Sequence, residues 1–213
     1  MTLIARKTNS TPIEAGTYQA ICYMVCDLGT QFNEFFGSKN RKVLIGWEMP
    51  KLRIEIEREG VPMDLPRVIS KTYTLSLHEK SNLSKDLISW RGKSFTGEEA
   101  EEFDVHKVLG VNCLLTIINV EKNSNLYANV SSVAKLMAGM TLLKPENPII
   151  KYSMEEQGQV IPEGVYPWVK DIIKKSEEFK FVESATAISD KLDAVREACG
   201  VTDKKAIDDD IPF

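Results

Sequence analysis

With 213 residues, 43% of them hydrophobic and 27% charged, the chain can bury a core without disulfides or a structural metal and has the composition of an ordinary globular protein. Its apolar stretches, Cys113–Ile118 among them, are far short of the roughly 20 residues that a membrane-spanning helix needs, and residues 1–12 lack the apolar core of a signal peptide, so a cytosolic protein is expected. The formal charge of −4 argues against a nucleic-acid binder, but it is unevenly spread: residues 1–140 hold 17 Lys and Arg against 16 Asp and Glu, a net +1, while residues 141–213 hold 10 against 15, a net −5.

The first half of the chain reads as strands. After Gly16, alternation places Tyr18, Ala20, Cys22, Met24 and Cys26 on one face of a first strand, which would bury both of these cysteines side by side. The four cysteines, Cys22, Cys26, Cys113 and Cys199, fit no zinc or redox spacing. Val43, Ile45 and Trp47 mark a second strand, and Leu52, Ile54 and Ile56 alternate with Arg53, Glu55 and Glu57 in a third. Val68–Leu77 follows, with Tyr73, Leu75 and Leu77 on one side. Ser81 caps a helix whose Leu83, Leu87 and Trp90 fall at i, i+4 and i+7. Thr96 and Glu99 have capping-box spacing for a second helix through Phe103, and Asp104 caps a last turn ended by Gly110. Cys113–Val120, apolar on both faces, is placed centrally. The turn at residues 122–125 returns the chain into Tyr127–Val133.

Five or six antiparallel strands with a helical insertion between the third and fourth give a mainly β protein in the order of an OB-fold barrel, one of several arrangements the pattern admits. Residues 1–143 form this core. Residues 144–200 form a Pro- and Gly-rich extension with helices at about Pro167–Lys175, where Val169, Ile172 and Ile173 share a side, and at Ala185–Ala198. Residues 201–213 are small, polar and acidic, the composition of a disordered tail.

The sharpest chemical signal is the sequence Asp208-Asp209-Asp210-Ile211-Pro212-Phe213. Phe213 can fill an apolar pocket while the carboxylates pair with the cations around it. This hexapeptide resembles the C-terminal tip through which bacterial single-stranded DNA-binding proteins recruit replication, recombination and repair enzymes. A merely solubilising acidic tail would not need Ile-Pro-Phe.

A second resemblance is carried by an ordered series. It comprises Asp27-Leu28-Gly29-Thr30-Gln31, Trp47-Glu48-Met49-Pro50, the run from Lys71 through Leu83, Leu87 to Thr96, Phe103-Asp104 with Leu109-Gly110, and Pro167-Trp168-Val169 with residues 176–180. Over residues 16–180 the chain resembles phage-encoded single-stranded DNA-binding proteins. The resemblance implies an OB-fold core, no enzymatic activity, no cofactor and a place in the cytoplasm of a bacterial host cell. It leaves a homo-oligomer open, and residues 182–200 have no counterpart in it.

Binding a single strand without sequence preference takes cations along the phosphates and aromatic faces under the bases. The candidates are Phe35, Phe36, Lys39, Arg41 and Lys42 in and beside one loop, and Lys71, Tyr73, Lys80, Trp90, Arg91 and Lys93 further on. Gly37 and Gly92 would let backbone approach the strand. Each has a plainer role beside this one. Trp90 lies on the stripe with Leu83 and Leu87, which favours core packing, as alternation does for Trp47. Tyr73 is open between core and base. Phe35 and Phe36 suit stacking, or could plug the barrel end. Arg91 and Lys93 equally suit the C-terminal dipole of a helix. Residues 98–102 read as a solvated acidic face. The rival function is an adaptor that engages host repair enzymes through the tip with little affinity for DNA. A nuclease built on Asp27, Glu48 and Glu55 is remote.

Overall fold

A computed structural model describes residues 12–182, except Glu59, together with Lys191. The protein is mainly β. Among these residues six strands, β1 (Gly16–Asn33), β2 (Ser38–Arg58), β3 (Val61–Thr74), β4 (Asn112–Lys122), β5 (Asn125–Lys135) and β6 (Ile150–Tyr152), are accompanied by short helices. Helices α1 (Asn82–Arg91) and α2 (Gly97–Glu101) and a 3-10 turn (Val105–Val108) lie between β3 and β4; α3 (Met154–Gln157) and α4 (Pro167–Lys174) follow β6. The ladder runs β3-β2-β1-β4-β5, and β6 joins β1. β3 and β5 touch, but no ladder among the described residues closes the circle between them. The arrangement is consistent with an OB-like fold that is partly open. All pairs are antiparallel except β1–β6, which is parallel. Helix α1 packs on both β3 and β5, the two ends of the open path.

Local signals form where the sequence places them. Ser81 accepts the Ser84 N–H at the start of α1. Thr96 and Glu99 make a reciprocal capping box, and Asp104 accepts the His106 N–H. Leu83, Leu87 and Trp90 are buried along one side of α1. Trp90 donates from Nε1 to the Asn112 carbonyl at 3.0 Å and lies 5.9 Å from Trp47 between ring centroids. Burying such side chains is worth about 1.5–3 kcal/mol each.

The strands depart from simple alternation at bulges. Two expected strands, at Val43–Trp47 and Leu52–Ile56, are one: β2 runs through both, with its register broken between Met49 and Arg53. Pro50 lies in that break, where a residue without an N–H is tolerated. In β1 the register slips between Cys22 and Met24, and one extra residue turns the following side chains over. Cys22 therefore faces a first core with Ala20 and Val25, whereas Met24 and Cys26 face a second one with Tyr23 and Leu28. The two cysteines do not share a face. Burial pushes the Cys26 thiol up to about 12. The strand expected at Val68–Leu77 ends at Thr74; beyond it Leu77 packs on the first core while Leu75 stays exposed.

The second core explains the extension. Ile150, Tyr152, Val165, Val169 and Ile173 pack on the outer face of β1 and β2, against Tyr23, Met24, Cys26, Leu28 and Leu44. Polar ties hold the chain leading into it. Glu48, fully buried, accepts the backbone N–H groups of Glu146 and Asn147 and the Asn147 side chain. Asn112 exchanges two hydrogen bonds with Leu143. At Gly29 the strand bends with φ +65, and a Cβ there would stand 2.6 Å from the Ser176 Cβ, so only glycine lets the extension close on β1. Apart from Lys191, the helix expected at Ala185–Ala198 lies outside the described residues, as does the tail at 201–213.

Candidate nucleic-acid interface

The β1–β2 turn presents two aromatic rings to water. Asn33 accepts the N–H groups of Phe35 and Phe36 on its side-chain oxygen, at 3.0 and 3.2 Å, which shapes the turn locally. Phe35 is 88% exposed and Phe36 74%, with the rings edge-to-face at 4.9 Å. Neither plugs the end of the sheet. Phe32, on β1, is also exposed. Gly37 (φ +59) and Gly92 (φ +69) both occupy the left-handed region. Gly92 ends α1 by donating to the Ile88 carbonyl, so the turn geometry requires these glycines without any approaching strand.

The three cations beside that turn separate. Strand neighbours point to opposite faces, and here they meet different chemistry. Lys39 pairs with Glu177. Arg41 pairs with Asp27 at 2.6 Å and Glu155 at 2.7 Å. The hydrogen bond to Asp27, against the opposing effect of burial, and then that to Glu155 raise the Arg41 guanidinium above its already high value. Arg41 lines a cleft with Asp27, Glu102, Asp104, Glu155 and Glu156, an acidic setting that repels phosphate. Beside it, Glu178 accepts from the Thr30 N–H at 2.7 Å and the Thr30 hydroxyl at 2.6 Å. Burial pushes its carboxyl up, but these hydrogen bonds outweigh that and hold it below the usual range.

Lys42 belongs to another surface. Its ammonium donates to the Thr74 hydroxyl at 2.7 Å, in a groove lined by Thr72, Tyr73, Thr74, Ser76, His78, Lys80, Ser81 and Asn82. Two lysines and a series of hydroxyls line it, and among the described residues no carboxylate does. The sequence reading placed Lys42, Tyr73 and Lys80 among its candidates and missed Thr72, Ser76, His78, Ser81 and Asn82. Their signal was the hydroxyl-rich run from Thr72 to Asn82, which becomes a site only when it folds back beside Lys42.

The remaining candidates are engaged within the fold. Tyr73 is 3% exposed and donates to Asp86 at 2.7 Å; burial, then the Asp86 charge, push its phenol well up. Lys71 also pairs with Asp86, at 2.8 Å. Trp90, 5% exposed, is a core residue and offers no face to a base. Arg91 is bound by both Glu99 oxygens at 2.8 and 2.9 Å and lies over the Phe95 ring at 4.3 Å. Lys93 is 3.7 Å from the same carboxylate. Glu99 is held below the usual range by the Arg91 hydrogen bonds and the Thr96 N–H. Of the seven candidate cations, Lys39, Arg41, Lys71, Arg91 and Lys93 have carboxylate partners. Lys42 and Lys80 have none among the described residues.

Among the described residues no group of His, Cys, Asp and Glu is placed to hold a metal ion, and no helix is long and apolar enough to cross a membrane. Asp27 and Glu48, two of the three carboxylates in the remote nuclease reading, are committed to Arg41 and to the 146–147 backbone. Asp208–Phe213 lie outside the described residues. No family model matches the chain, and no curated protein does.

Proposed function

We propose that this is a single-stranded DNA-binding protein of a phage or prophage, with an OB-fold core that holds the strand without sequence preference and an acidic tip, Asp208–Phe213, that recruits replication, recombination and repair proteins. The observation that carries the reading is the pairing of two features: a groove containing Lys42 and Lys80 that no carboxylate lines among the described residues, and a turn leading into β2 that keeps Phe35 and Phe36 in water. Phosphates need the first and bases the second. In a titration of oligo-dT against salt, affinity should fall linearly on a log–log plot, and duplex of equal length should bind much more weakly. Replacing Lys42 and Lys80 together by alanine should make the slope shallower by about 1.4, the share of two phosphates at roughly 0.7 each. Replacing Phe35 and Phe36 should weaken binding tenfold or more at unchanged slope, since stacking contributes about 1–3 kcal/mol per base. Equal affinity for single strand and duplex would sink the proposal.

The five cations already paired to carboxylates favour a second reading, the adaptor that engages partner enzymes with little DNA affinity of its own. Absence of oligo-dT binding at low salt would select it. Both readings share the tip. Deleting Asp208–Phe213 should abolish capture of replication and repair enzymes in a pull-down, and Phe213→Ala should reproduce most of that loss, because an aromatic anchor typically carries about 2 kcal/mol or more. DNA affinity should stay the same or rise slightly as acidic competition is removed. Equal capture by intact and truncated protein would reduce the tip to a solubilising tail.

A further inference from the structure

Lys39 stands opposite Phe32 in the β1–β2 ladder, so the two side chains are cross-strand neighbours on one face. Phe32 is 55% exposed. A base stacked there would bring its phosphate toward the Lys39 ammonium, and that position is filled: the ammonium lies 2.5 Å from a carboxylate oxygen of Glu177. The segment around Glu177 does not depend on this ion pair for its place. Glu178 is bound by Thr30 through two hydrogen bonds, Gln31 donates to the Ile172 carbonyl at 3.0 Å, and Ser176 is fully buried beside Gly29. Glu177 is thus delivered to Lys39 by its neighbours, while both partners of the pair remain about half exposed to water.

We propose that Glu177 stands in for a backbone phosphate on Lys39, and that a bound single strand displaces it, so that the extension lowers and tunes the strand affinity of the hairpin it is strapped to. This rests on the single-strand reading above. Lys39 contributes little to binding in the intact protein, because each phosphate contact it gains costs the Glu177 contact. Removing the Glu177 charge uncovers that contribution. The exchange needs no movement of the extension's core, only rotation of an exposed side chain.

The experiment is a four-protein cycle: intact protein, Glu177→Gln, Lys39→Ala and the double variant, each titrated with oligo-dT at low salt. Glu177→Gln should bind roughly three- to fivefold more tightly, the range set by an exposed ion pair, with an unchanged melting temperature. Lys39→Ala should cost less than twofold in the intact background and roughly three- to fivefold in the Glu177→Gln background. Glu163→Gln, which removes one charge from an exposed site elsewhere on the extension, should leave the Lys39→Ala effect as it is in the intact protein. An identical Lys39→Ala effect in both backgrounds, or equal tightening by Glu163→Gln, would overturn the displacement. Failure of all four proteins to bind would overturn the single-strand reading and this inference together.

Discussion

Replacing Glu48 by leucine is expected to destabilise the protein by about 3–5 kcal/mol, although leucine is the more apolar residue and the site has no solvent exposure at all. The reason is what the carboxylate holds. Its two oxygens accept the N–H groups of Glu146 and Asn147 at 2.6 and 2.9 Å, and Asn147 adds its side chain. Leucine leaves these three donors, which are part-buried beside β2, without that acceptor, each at a cost of about 1 kcal/mol, the low end for an unmade hydrogen bond. In a protein of this size the melting temperature should fall by roughly 10 °C. Glu48→Gln keeps one acceptor oxygen and should lose about half as much. Proteolysis should locate the damage: residues 144–149 should become the first site of cleavage, because they lose their tether to the sheet. A leucine variant within 1 kcal/mol of the parent would show that the segment is held by its apolar contacts alone.

The second large effect separates two adjacent residues. Arg41→Ala should cost about 3 kcal/mol or more, since the Asp27 carboxylate, only 9% exposed, is left without its cation. Asp27 would still accept the Gly29 N–H at 2.9 Å, which limits the loss. Lys42→Ala should change stability by no more than about 0.5 kcal/mol, because its ammonium reaches only a hydroxyl at the lip of an open groove. Asp27→Asn placed on Arg41→Ala should restore much of the lost stability, as it removes the stranded charge. Denaturant titration of the four proteins reads this directly. If Arg41→Ala melts with the parent, the Asp27 pair contributes nothing net, and Arg41 returns to the surface that a strand could use. The sequence offers both side chains as candidate phosphate contacts beside one loop; of the two, Arg41 is paired to carboxylates and Lys42 to a hydroxyl among the described residues.

These two residues show where legibility stopped. Arg41 and Lys42 are adjacent, equally charged and beside the same turn, and nothing within ten residues distinguishes them. Their partners do. Arg41 meets Asp27 and, 114 positions away, Glu155; Lys39 meets Glu177, 138 positions away. Phe35 and Phe36, which the sequence left open between stacking and plugging the barrel end, owe their exposure to a local setting: Asn33 shapes the turn from within it. Trp90 was readable as core from its place on a helical stripe. Tyr73 was not, because the acceptor of its hydroxyl hydrogen bond, Asp86, lies across a strand–helix junction.

By itself the sequence determined what short-range physics controls. The caps at Ser81, Thr96 and Asp104 act within three residues. The apolar stripe of α1 follows from helical period, as the buried side of α4, with Val169 and Ile173, does, and the mainly β class follows from the short alternating or apolar runs along β1 to β5. Only the tertiary structure decided how β1 is buried on both faces. That outcome depends on a bulge that turns Met24 and Cys26 away from Cys22 and on an extension that returns from residue 150 to cover them. The same return decides which cations stay available to a ligand. A charge in a sequence has no partner until the fold supplies one, and here the acidic extension supplies Glu155 and Glu177 to Arg41 and Lys39, while among the described residues no carboxylate lines the groove of Lys42 and Lys80.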